Sequence, residues 1–187
     1  MIPVEYLWLA LIVIFGIIGM TRGLSKELGV TTVLLLSLFA LNLGWKMVGA
    51  DIVAVLPDGA PDKTVMAAYY AISILFIAFI AYEGVTIKFP AKETNGIMKA
   101  IGGLLGGLPN GYLIVGTIWD VVNQASYFGF EVPVGTTGTT AEISRVLTDL
   151  NNTLVKYLPV SLMDSSDVTP YIFIALGMIL LLAIILK

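Results

Sequence analysis

Five apolar stretches, each meeting or approaching the length that crosses a bilayer, constrain this chain more than anything else in it. Spanning the hydrocarbon core as a helix takes about 20 predominantly apolar residues. The first stretch runs from about Val4 to Met20 and is closed off by Arg22 and Lys26. The second runs from about Leu28 to Ala50, with Lys46 near enough to its end to snorkel. A turn rich in helix breakers follows, Pro57-Asp58-Gly59-Ala60-Pro61. The third stretch runs from about Thr64 to Ile87, the fourth from about Ile97 to Val122 and the fifth from about Pro170 to Leu186. Composition agrees with lipid as the bulk solvent. Of 187 residues 58% are hydrophobic and 12% charged, where a soluble domain carries about twice that charged fraction. The expectation is an all-α, polytopic membrane bundle. It divides into a four-helix core over 1–122, an outer loop over 123–169 and a fifth helix over 170–187.

Orientation follows from the loops. The first holds Arg22 and Lys26 and the third holds Lys88, Lys92 and Lys99, whereas the second adds Asp51, Asp58 and Asp62. Basic loops stay in the cytoplasm, so the N-terminus is expected outside and the C-terminus inside. A cleaved signal peptide carries its positive charge before the apolar run, but here Glu5 precedes it. Trp8, Trp45 and Trp119 then all fall towards the outer interface. The outer loop holds an amphipathic helix over about 140–158. Thr139 and Glu142 fit a capping box, apolar residues recur from Ile143 to Leu158, and Pro159 stops it.

Much chemistry is excluded. With neither histidine nor cysteine in the chain, there is no disulfide, no Cys/His metal site and no Ser-His-Asp or Cys-His pair. No enzyme activity and no cofactor are expected. A net charge of −3 argues against nucleic acid as a partner.

What remains is packing and a few polar residues. Gly102, Gly103, Gly106, Gly107 and Gly111 form two small-xxx-small faces, and Gly19 and Gly23 repeat the spacing at the end of the first span. Small residues let helix backbones approach in lipid, where no hydrophobic force joins helices. Packing within the chain is the first expectation, with an oligomer or partner interface as the alternative. A nucleotide-binding loop is not expected, because no strand precedes the glycines. Glu83 and Asp120 lie near opposite interfaces and read as paired or hydrated anchors before a proton or ion path. Asn42 reads as an interhelical hydrogen bond. In the compact loop from Thr21 to Gly29, Ser25 is placed to cap the second span, and Glu27 meets the positive end of the helix dipole. Arg22 and Lys26 set topology or form a docking patch for headgroups or a cytosolic partner. Gly135–Thr140 reads as a flexible loop before an anion cradle. Asn151-Asn152-Thr153, which matches a glycosylation acceptor, falls within the expected helix.

Gly19-Met20-Thr21-Arg22-Gly23-Leu24-Ser25-Lys26-Glu27-Leu28 resembles the G-x-x-R-G-x-x-(K/R)-E-hydrophobic signature of the colicin V production protein (CvpA) family. The basic loop leading into glycines from Lys99 to Gly111 resembles that family's second marked region, and the helix from Glu142 to Pro159 resembles its outer helix ending in Leu-Pro. The resemblance covers about residues 5 to 160. The family often has Arg-Gly where this chain has Asn110-Gly111, and the fifth helix looks like an extension of the usual core. The resemblance implies a bacterial inner-membrane protein linked to envelope homeostasis or secretion, without established catalytic activity. An accessory subunit of a respiratory or photosynthetic complex is the alternative, and a small channel or transporter is a third. The expected partners are the bilayer and either a membrane protein or further copies of the chain.

Overall fold

A computed structural model of the chain describes residues 4–56, 61–84, 89, 96–129, 153–165 and 168–186. Among these the fold is all-helical, with no strand. Helix α1 spans Val4–Arg22, α2 Leu24–Ala54, α3 Asp62–Glu83 and α4 Gly96–Gln124. A short turn over Ser126–Gly129 follows, then α5 over Pro159–Ser165 and α6 over Thr169–Ile185. The first four helices are long and apolar enough to cross a membrane. Helix α6 is equally apolar but has 17 residues, or about 25 Å at the α-helical rise, against a hydrocarbon core of about 30 Å.

Two boundaries differ from the sequence reading in a way that matters. The expected loop from Thr21 to Gly29 is helix at every residue except Gly23. That residue takes φ 86 and ψ 159, a region essentially confined to glycine, and so turns α1 into α2 within one residue. Gly23 therefore holds the cap position expected of Ser25, which sits inside α2 and donates its hydroxyl to the Phe89 carbonyl. Pro159 differs as well. Thr153–Val155 are helical and the chain turns over 156–158, but Pro159 then opens α5 rather than simply ending a helix. A proline suits a first helical turn, where its missing N–H costs no bond. Most of the expected amphipathic helix over about 140–158, the 135–140 segment and the Asn151-Asn152 pair lie outside the described residues.

Helix α4 is the hub. It packs on α1, α2, α3 and α5, while α2 also packs on α3 and α6. One core joins Leu34 and Leu38 of α2, Ile74 of α3, Ile114 of α4, Met163 of α5 and Phe173 of α6. A smaller one joins Ala67 and Tyr70 of α3, Val121 of α4 and Val160 of α5. Helix α1 is peripheral, held chiefly by α4. There the glycines set the distance. A methyl built on Gly103 would collide with the Gly19 carbonyl, and one on Gly107 with the Phe15 carbonyl. One on Gly111 would come within 2.8 Å of the Ile12 carbonyl. Gly102 and Gly106, on the neighbouring stripe, admit Leu24 and Glu27 of α2. The two glycine faces of α4 thus receive two different helices of the same chain.

Candidate functional site: two buried carboxylates at opposite ends of the bundle

The corner at Gly23 sets Arg22, at the end of α1, beside Glu27, in the first turn of α2. Glu27 is fully buried, and three side chains converge on its carboxylate. Arg22 Nε donates to Oε1 at 2.8 Å. The Tyr82 hydroxyl donates to Oε2 at 3.1 Å, and Asn110 Nδ2 donates to the same oxygen at 2.8 Å. Asn110 Nδ2 also lies 3.0 Å from the Glu27 carbonyl. The Thr31 hydroxyl, 2.7 Å from Asn110 Oδ1 and 2.9 Å from the Glu27 carbonyl, has one proton to give to either. Arg22 reaches further: Nη1 donates to the Tyr82 carbonyl at 3.0 Å, and the guanidinium lies 4.7 Å from the Tyr82 ring centroid. Tyr82 comes from α3 and Asn110 from α4. All four long helices therefore meet at one carboxylate.

A second buried carboxylate lies at the other end of α4. Asp120, also fully buried, accepts the Ser161 N–H at 2.6 Å through Oδ2. Its Oδ1 accepts the Ser161 hydroxyl at 2.7 Å and Gln124 Nε2 at 2.9 Å. Asp120 thereby supplies an acceptor to the first turn of α5, where backbone N–H groups have no helical partner. Asn42 of α2 donates to Asp164 of α5 at 3.5 Å. Glu83 ends α3 exposed, without an ion pair among the described residues. Lys26 is half-buried beside the Arg22–Glu27 pair, and Arg22 itself is spent on that pair.

The residues named from sequence therefore separate. Arg22 and Glu27 belong together, Asp120 and Asn42 both fasten α5, and Glu83 stands apart. Tyr82, Thr31, Asn110 and Ser161 join these clusters without standing out as site residues in the sequence. A signal for Asn110 existed: Gly102, Gly106 and Asn110 recur every fourth residue, which puts the amide on the stripe facing α2. Tyr82 and Ser161 carry no comparable local pattern, because their partners lie 55 and 41 residues away.

Among the described residues no group of three or more His, Cys, Asp or Glu stands close enough to hold a metal. Chemically, both carboxylates are saturated by donors from their own chain, an arrangement suited to locking helices together. Comparison with protein-family models, curated proteins and solved structures found no match.

Proposed function

We propose that the chain is a non-enzymatic scaffold or helper of the bacterial cytoplasmic membrane, acting in envelope homeostasis or secretion as its resemblance to the CvpA family implies. The observation that carries this reading is the fate of the two fully buried carboxylates. Glu27 and Asp120 are each closed by three hydrogen-bond donors of the same chain. A transport path needs ionisable groups that exchange partners with a passing ion or proton, whereas these brace helices. Four apolar helices support membrane residence. In this reading α6 is a fifth crossing, short enough to draw the bilayer thinner around it. The N-terminus lies outside and the C-terminus inside. Lys26 and Lys99 sit at one end of the bundle, and Asp51 and Asp62 at the other.

A second reading, an accessory subunit of a larger membrane complex, draws on α1. Leu7, Val13, Ile14 and Ile17 are all about half exposed on a helix that touches little but α4. Purification in mild detergent followed by mass spectrometry separates the two. The chain alone or as a homo-oligomer supports the scaffold, and stoichiometric recovery with a large assembly supports the subunit. Ion or proton flux in liposomes that disappears in Glu27→Gln or Asp120→Asn would overturn both.

A further inference from the structure

The glycines of α4 seat other helices, but two glycines of α2 seat aromatic side chains. A methyl built on Gly49 would come within 2.9 Å of the Trp45 ring, and one on Gly44 within 2.7 Å of the Tyr69 hydroxyl. The missing methyls let both side chains lie close against α2. There the two rings meet, with centroids 5.5 Å apart, and the Tyr69 hydroxyl donates to the Leu41 carbonyl at 3.3 Å. Trp45, braced in this way, walls a cleft of about 410 Å³ between the last turns of α2 and the first turns of α3. Gly49, Ala50 and Val53 of α2 and Met66 of α3 complete its apolar lining. Asp62 and Lys63, in the first turn of α3, are its charged residues. Both are exposed, and neither has an ion pair among the described residues.

A cleft of this volume falls within the range that holds small ligands, about 300–1,000 Å³. Its lining selects the occupant. A lone anion would meet Asp62 and a lone cation would meet Lys63, whereas a group that carries both charges gives each residue its opposite. The apolar wall asks for hydrocarbon attached to that group. Position points the same way. Helix α2 has 31 residues, or about 46 Å at the α-helical rise, against a hydrocarbon core of about 30 Å. Its last turns therefore reach the headgroup layer, the level that a half-buried tryptophan suits.

We propose that this cleft binds one zwitterionic phospholipid of the leaflet it faces. The phosphate pairs with Lys63 and the ammonium with Asp62. The glycerol and first acyl carbons fill the space between Trp45 and Met66. Gly49 acts as a positioning residue, because a side chain there would push the indole into the cleft. A lipid with a glycerol headgroup keeps the phosphate contact but brings no cation to Asp62.

The inference rests on the membrane reading above, and the test keeps the two apart. The full chain, delipidated in detergent, is offered phosphatidylethanolamine, phosphatidylcholine and phosphatidylglycerol with identical acyl chains, and retained lipid is counted by native mass spectrometry. The two zwitterionic lipids should each be retained about three- to fivefold over phosphatidylglycerol, the size expected of one exposed charge contact. Asp62→Asn should abolish that preference. Lys63→Gln should instead lower retention of all three lipids alike, because all three carry the phosphate. Ala50→Phe fills the cleft from an exposed position and should also abolish the preference, with the thermal midpoint unchanged. Should Ala50→Phe fail to fold, Asp62→Asn decides. Equal retention of the three lipids by the unaltered chain, a preference that survives Asp62→Asn, or competition by free phosphoethanolamine as effective as the lipid would each overturn the proposal and leave the membrane reading standing. A chain that stays monodisperse without detergent and retains no lipid would overturn both.

Discussion

The most informative residue is Glu27, because its surroundings turn a charge read only as meeting the helix dipole into a fully buried carboxylate closed by three side chains. Its sequence context, R-G-x-x-x-E over Arg22 to Glu27, shows two opposite charges five residues apart. It does not show that one glycine brings them to 2.8 Å, with Glu27 fully buried. The energetics of a buried pair are asymmetric. Removing one partner strands a charge at a cost of about 3–5 kcal/mol, while replacing both with apolar side chains is often neutral. Arg22→Met should therefore lower the thermal midpoint in detergent sharply, and the double variant Arg22→Met/Glu27→Met should recover most of the loss. Additive losses in this cycle would show that the two residues act independently. At the same scale, Asp120 was legible as a polar residue near an interface. Its role as acceptor for α5 was not, because nothing near Asp120 marks the distant Ser161 as its partner.

At the scale of elements, the long helices were legible almost to their ends, since continuous apolar runs leave a helix as the form that satisfies its own backbone in lipid. The errors fall at corners. α2 begins at Leu24 rather than near Leu28, because the charged and hydroxylated residues that look like a loop are absorbed into the Glu27 cluster and the Phe89 contact. The glycine faces were legible as packing surfaces, but which helix each receives depends on tertiary geometry. That geometry yields a sign prediction. Gly103→Ala would drive a methyl into the Gly19 carbonyl, whereas Gly96, in the first turn of α4, has nothing within 4 Å of the same added methyl. Overpacking costs about 1–3 kcal/mol, while alanine improves on glycine in a helix by up to about 1 kcal/mol. Gly103→Ala should thus lower the thermal midpoint and Gly96→Ala should leave it unchanged or raise it. Equal effects at the two sites would contradict the close α1–α4 contact.

For the whole molecule, the ordering of charge along the chain predicts a topology that the absence of cysteine makes easy to read. Lys63 and Lys99 are both exposed and lie at opposite ends of the bundle. A single cysteine at position 63 should react with an impermeant thiol reagent applied to intact cells, after outer-membrane permeabilisation, and one at 99 should react only after lysis. The reverse pattern would invert the proposed orientation. Function at this scale was the least legible property. The polar residues that stand out in the sequence are mostly consumed in holding the bundle together, as Arg22, Glu27, Asn42 and Asp120 are.

The peripheral seat of α1 carries a consequence for synthesis. Helix α1 leaves the ribosome ahead of α2, α3 and α4 and finds its main partner in α4, after all of α2 and α3 have been made. Until then its glycine face has only lipid, or the insertion machinery, to lie against. Nascent chains arrested after Glu83 should therefore keep α1 crosslinkable to that machinery, and chains arrested long enough to expose Gln124 should lose the crosslink. The seating of α1 waits on the arrival of α4.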